Sequence, residues 1–141
     1  MIDTSQRRTA RLLEAAELAF IAVVSYLPFL ISSPGVVSSD SKQALYVDPG
    51  SFMADSVYLW NPRLGAGGVP HQSLGYLWPM GPWFWFFDQI GTPTWLAQRL
   101  WWGSLSFVAY LGARWLLRSL GLHRSSALAG AAISALSPYQ F

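Results

Sequence analysis

The sequence contains no cysteine, which excludes disulfides, thiolate metal sites and a cysteine nucleophile. Its two histidines, His71 and His123, lie too far apart in the chain to suggest a local metal motif. Charge is scarce as well. Only 11% of residues are Asp, Glu, Lys or Arg, against about 25% in an ordinary soluble domain. So few ionic groups cannot solvate the surface of a soluble fold. No basic stripe interleaved with stacking aromatics occurs, so nucleic acid is set aside as a partner. The run Gly65-Ala66-Gly67-Gly68 lacks the Lys-Ser/Thr sequel of a phosphate-binding loop and is read as a tight loop.

What is present instead is apolar surface: 52% of residues are hydrophobic and eight are tryptophan. The few charges are segregated. Arg7, Arg8 and Arg11 open the chain, Arg114, Arg118 and Arg124 come near its end, and Asp40, Asp48, Asp55 and Asp88 lie between. With a net charge of +2, this segregation points to orientation in a membrane.

Residues 12–33 form the first membrane candidate, about long enough to cross a ~30 Å hydrocarbon core as a helix. Glu14 and Glu17 fall near the headgroups at its start, and Pro28 is tolerable near its end. The preceding arginines place the N-terminus in the cytoplasm. A secretory signal peptide, with small residues at Val37-Ser38-Ser39, is the rival reading. The later apolar segments favour an uncleaved helix. Residues 95–118 form the second span, with Trp95, Trp101, Trp102 and Trp115 toward its ends and Arg114, Arg118, His123 and Arg124 marking the cytoplasmic side. Residues 125–141 begin a third span whose Ala and Gly permit close helix packing. That segment breaks off while still apolar, so the chain is expected to be the N-terminal part of something longer.

Residues 34–94 then form one long external loop. Loops of this size between spans usually carry function. Asp48 is expected to cap a helix with Pro49 at its first position. Met53, Val57 and Trp60 follow at i, i+4 and i+7 as one apolar stripe. That helix either lies on the membrane surface or packs without lipid contact. Tyr76 to Ile90 is very aromatic but broken by Pro79, Gly81 and Pro82. It reads as an interfacial or re-entrant helix starting near Pro82, with a short true span as the alternative. A full span there would place the Arg114 cluster outside, against the charge rule.

The external loop holds nearly all groups capable of chemistry. Asp40, just past the first span, is placed either to take a proton from a hydroxyl nucleophile or to cap a helix beginning near Ser41. Lys42 and Arg99 are candidates for holding a phosphate, and snorkelling to the headgroups is the alternative for Arg99. Asp55 lies on the polar side of its short helix and is either a substrate contact or simply solvated. His71 and Gln72 follow the glycine run, where a lone histidine is more often a hydrogen-bonded loop residue than a ligand. No metal site is expected from the pattern.

The stretch from Asp40 through Gly50 (Asp-Ser-Lys-Gln-Ala-Leu-Tyr-Val-Asp-Pro-Gly) is followed by Leu59-Trp60-Asn61-Pro62, Leu64-Gly65-Ala66-Gly67 and Val69-Pro70-His71-Gln72. Gly75 to Trp85, Ala97-Gln98-Arg99-Leu100-Trp101 and Ser137-Pro138-Tyr139-Gln140 come after them in order. Together these clusters resemble the N-terminus of the actinobacterial α-(1→3)-arabinofuranosyltransferase family called AftD, from about Pro34 to Phe141.

The resemblance implies an all-α GT-C membrane bundle in the cytoplasmic membrane, with its first loop external. It also implies a decaprenyl-phosphoryl arabinose donor and an arabinan acceptor on arabinogalactan or lipoarabinomannan. It puts the catalytic acid of the first external loop at Asp40. Lys42, Asp55, His71, Gln72 and Arg99 stay candidate substrate contacts beside it. Charge on the phosphate would be offset by Lys42, Arg99 or a divalent cation. A chain of this length is expected to be inactive alone. A non-catalytic scaffold or transporter component is the competing reading, but a transporter places polar groups near the midplane of several spans, and these spans have few.

Overall fold

A computed structural model of the protein describes residues 4–38, 42–58, 60–62, 66–69 and 71–137. Regular structure among them is helical: α1 (Thr4–Ile31), α2 (Gln43–Val47), α3 (Pro49–Ser56), α4 (His71–Leu77), α5 (Met80–Gln89), α6 (Thr94–Ser119) and α7 (Arg124–Ala135). One antiparallel bridge, Asn61 to Gly68, is the exception. The chain forms two compact units, one of Met1–Ser32 with Arg99–Phe141 and the other of Ser33–Gln98.

The first unit packs α1, most of α6, and α7. At 1.5 Å per residue the 28 residues of α1 rise roughly 42 Å. Among the described residues, α1 is the helix long and apolar enough by composition to cross a membrane. The 26 residues of α6 suffice in length, but Arg99, Arg114 and Arg118 dilute its apolar character.

Where lipid replaces water, helices associate through close packing and polar contacts rather than through the hydrophobic effect. Both are present here. Ala127, Ala131 and Ala135 are buried on one face of α7 at four-residue spacing. Ala131 and Ala135 pack with Ile21 of α1 and Tyr110 of α6. The Ser106 hydroxyl donates to the Ala135 carbonyl at 2.9 Å. Gly103 lets α6 approach α1 so closely that a Cβ there would run into the Tyr26 ring. The Tyr26 hydroxyl in turn meets Ser104 Oγ at 2.8 Å.

A charged cluster joins the same three helices. Glu17 of α1 accepts from the Tyr110 hydroxyl at 2.9 Å. It pairs with Arg114 Nε at 2.9 Å and with Arg124 Nη2 at 3.1 Å. Arg114 Nη2 also reaches Glu14 at 3.0 Å. Helix α6 ends where Gly121 takes a positive φ of 81°. There the Leu122 N–H bonds back to the Leu117 carbonyl and the Gly121 N–H to that of Arg118. This left-handed turn satisfies orphan carbonyls and needs glycine.

The second unit holds α2 to α5 and the first turn of α6. Asp48 caps α3 as the Asp-Pro-Gly sequence predicts: its Oδ1 accepts from the Ser51 N–H at 2.9 Å, with Pro49 in the first turn. The apolar stripe falls elsewhere. Helix α3 stops at Ser56 and buries Pro49, Phe52 and Ser56, while Val57 and Trp60 are 61% and 59% exposed. The reason is the chain reversal just beyond, where Asn61 and Gly68 exchange backbone hydrogen bonds of 2.9 and 3.1 Å. That turn takes Trp60 off the helix register.

The aromatic segment also differs from expectation. It is preceded by a further helix, α4, and a cis Trp78–Pro79 peptide. Helix α5 starts at Met80, two residues before Pro82, with Pro79 at its N-cap. Its ten residues rise about 15 Å, half of a ~30 Å core.

The Asp48 cap carries a pH signature. Hydrogen bonds from the Ser51 backbone first, then from its side chain, hold the carboxyl below the ordinary 3.8. A folded pKa lowered in this way adds stability above the unfolded value and loses it as pH falls through the folded one. Asp48→Ala is therefore expected to lower the thermal midpoint at pH 7, with the gap to wild type closing below about pH 4. Melts followed by circular dichroism at both pH values check this; an equal gap at pH 3 and pH 7 would contradict it.

Candidate active site

The second unit holds most of the polar groups singled out from the sequence, and its framework is tied by a few directed contacts. The Tyr46 ring packs at 5.0 Å on Phe84, joining α2 to α5. The Thr94 hydroxyl donates to the Tyr46 carbonyl at 3.4 Å, and Trp83 Nε1 donates to the Ala97 carbonyl at 3.1 Å. These link α2 and α5 to the start of α6. Beside them lies an open groove of about 410 Å³ lined by Val37, Ser38, Gln43, Tyr46, Val47 and Thr94. It combines an aliphatic wall with hydroxyl and amide groups.

Ser38, on the rim of this groove, is held from α6. Its N–H donates to Gln98 Oε1 at 2.8 Å, and its carbonyl accepts from Gln98 Nε2 at 3.1 Å. Gln98 itself is fully buried.

Asp40 lies with Ser39 and Ser41 outside the described residues, between Ser38 and Lys42. Helix α2 begins at Gln43, so its N-cap position is Lys42, not the Asp40 of the capping alternative. The Lys42 ammonium sits 5.1 Å from the centre of the Tyr76 ring, a cation–π placement that joins the approach to α2 with α4. Asp55 is half-buried on α3 rather than freely solvated. His71 and Gln72 open α4 and are therefore helical, not part of a loop; their side chains lie outside the described atoms.

Arg99 belongs to the first unit. It is 5% exposed, with its guanidinium 4.8 Å from the Trp102 ring, and Trp102 packs on Phe29 at 5.8 Å. Of the expected contacts, the structure thus pairs Lys42 with an aromatic ring and buries Arg99 against another. It does not bring Lys42 or Asp55 into the lining of the groove. Among the described residues no group of three or more His, Cys, Asp or Glu stands together.

Sequence reasoning passed over Gln98. The available signal was an amide beside an arginine near the start of an apolar helix, because a polar group buried there must find partners.

A long apolar N-terminal helix, small-residue packing against α6 and α7, and a helical loop unit define an all-α membrane domain of the GT-C type. The family model for the α-(1→3)-arabinofuranosyltransferase N-terminal GT-C domain matches residues 23–141, and the chain belongs to that family. It is 39% identical over 119 residues to an α-(1→3)-arabinofuranosyltransferase of Mycolicibacterium smegmatis, covering 84% of this chain and 8% of the relative. It is 38% identical over 122 residues to that of Mycobacterium tuberculosis, covering 86% of this chain and 9% of the relative. The cryo-EM structure of arabinofuranosyltransferase AftD from Mycobacteria superposes with a TM-score of 0.78 at 38% identity, over 86% of this chain and 9% of that one. The chain therefore spans less than a tenth of the length of the relatives it matches.

Proposed function

We propose that the chain is the N-terminal part of a multi-pass cytoplasmic-membrane enzyme that transfers arabinofuranose from decaprenyl-phosphoryl arabinose to cell-wall arabinan, making α-(1→3) branches. The observation that carries this is the family match from residue 23 to residue 141, which takes in the whole loop unit. The arginines at the start of α1 and at the end of α6 support a cytoplasmic N-terminus, with α1 crossing outward over 12–33, 34–94 external, α6 returning over 95–118, and a third span begun in 125–141.

In this reading an acceptor arabinose hydroxyl oxygen attacks the anomeric carbon of the donor. The bond from that carbon to the phosphate oxygen breaks, and decaprenyl phosphate departs with the electron pair, with inversion. Asp40 takes the hydroxyl proton. Lys42 and Arg99 supply positive charge toward the phosphate, while Asp55, His71 and Gln72 contact the sugars. The open groove of about 410 Å³ beside Ser38 and Tyr46 offers space in which part of a substrate would lie. Activity belongs to the full-length protein; the present chain alone is expected to be inactive.

The test is transfer by the full-length protein in vesicles, given decaprenyl-phosphoryl arabinose and a linear oligoarabinoside. The expected product carries new 3-linked branch points by linkage analysis. Complete retention of the donor, with acceptor unchanged, would rule out this function.

A further inference from the structure

We propose that Gln98 is a positioning residue for the catalytic loop, a reading that rests on Asp40 being the base. Its primary carboxamide offers one acceptor and two donors, and it uses both kinds on a single residue. Ser38 N–H donates at 2.8 Å and Ser38 C=O accepts at 3.1 Å. Two antiparallel bonds to one residue fix where its backbone lies and how it is turned, as a neighbouring β-strand would.

Ser38 stands two residues before Asp40. Beyond the same segment, Lys42 is held in turn. Its carbonyl accepts from the N–H groups of Leu45 at 3.0 Å and Tyr46 at 3.3 Å, and its ammonium lies over Tyr76. The described residues next to the stretch 39–41, Ser38 and Lys42, thus both carry directed contacts, and those at Ser38 come from the Gln98 side chain.

The two ends of this contact differ in exposure. Gln98 is fully buried, while Ser38 is exposed. If the carboxamide is removed, water can satisfy the Ser38 peptide, so the folded state loses little. Placement of the base is far less forgiving, because a displacement of about 1 Å costs ~10²-fold in rate. A purely structural amide would show the opposite pattern, with stability lost and turnover kept.

Gln98→Met, which keeps length and volume, is tested in the full-length protein. We expect kcat to fall about 10- to 100-fold with donor KM within about twofold. Hydrogen exchange of the peptide containing Ser38 should accelerate at least about tenfold, with the thermal midpoint unchanged. In an Asp40→Asn background, Gln98→Met should lower the residual rate no further, because both changes act on one group. Gln98→Asn, one methylene too short to span both bonds, serves if the methionine variant does not fold.

The proposal is overturned by turnover within twofold of wild type, by a raised KM with kcat intact, or by an undiminished loss in the Asp40→Asn background. Asp40→Asn at the wild-type rate defeats the catalytic reading itself. Asp40→Asn inactive with Gln98→Met fully active defeats only the role of Gln98.

Discussion

Asp40→Asn in the full-length protein is expected to slow arabinose transfer by about 10²- to 10⁴-fold, the usual worth of a positioned general base. The substitution keeps size and hydrogen-bonding shape and removes only the ability to accept a proton fully. In the proposed mechanism Lys42 and Arg99 rather than Asp40 face the donor phosphate, so donor binding should change little and the loss should appear in kcat. A sugar hydroxyl is a poor nucleophile until its proton begins to leave, so no neighbouring amide can replace the carboxylate. Asp40→Glu should retain part of the activity, limited by the extra methylene. Transfer at the wild-type rate by Asp40→Asn would remove Asp40 from the reaction. A raised donor KM at unchanged kcat would reassign it to binding.

Local signals were the readable part of this chain. Asp48-Pro49-Gly50 announces a capped helix start, and the structure has the cap on Ser51. The alanines of α7 announce close packing and are buried against α1 and α6. Apolar length marked the helices now seen as α1 and α6. Signals that depend on where a helix stops were less readable. Met53, Val57 and Trp60 have helical spacing, but the Asn61–Gly68 bridge ends the helix before the stripe completes. His71 and Gln72 follow Pro70 and a glycine run, which hid the helix they open.

Long-range pairings were invisible for a different reason. Glu17 meets partners 93 and 107 residues away, and Ser38 meets one 60 residues away. No periodicity encodes such partners. They become apparent only once a buried polar group is asked where its hydrogen bonds go. Asp40 was singled out by its position after the first apolar helix and by the family resemblance, and it lies outside the described residues. On either side of it in the chain, Ser38 is bonded to Gln98 and Lys42 lies over the Tyr76 ring.

Glu17→Ala is expected to destabilise the first unit by about 2–3 kcal/mol, because it removes the acceptor shared by three donors. Breaking a fully buried ion pair by deleting one partner costs roughly 3–5 kcal/mol, since the other charge is stranded. The Glu17 side chain is 13% exposed, and those of Arg114 and Arg124 are 22% and 43% exposed, so partial hydration reduces the penalty. Glu14 is the internal control. It also pairs with Arg114, but at 52% exposure, and Glu14→Ala should cost no more than about 1 kcal/mol. Arg114→Lys should fall between the two, because an ammonium cannot reproduce the placement by which Nε serves Glu17 while Nη2 serves Glu14. Detergent or thermal denaturation of the purified protein, followed by tryptophan fluorescence, orders the variants. Equal midpoints for Glu17→Ala and Glu14→Ala would mean that the cluster is a surface ornament and that α1, α6 and α7 are held by the alanine and glycine packing alone. The expected order instead makes Glu17 the polar fastening of the three helices, with Ala131 and Ala135 supplying the close approach that brings its partners within reach.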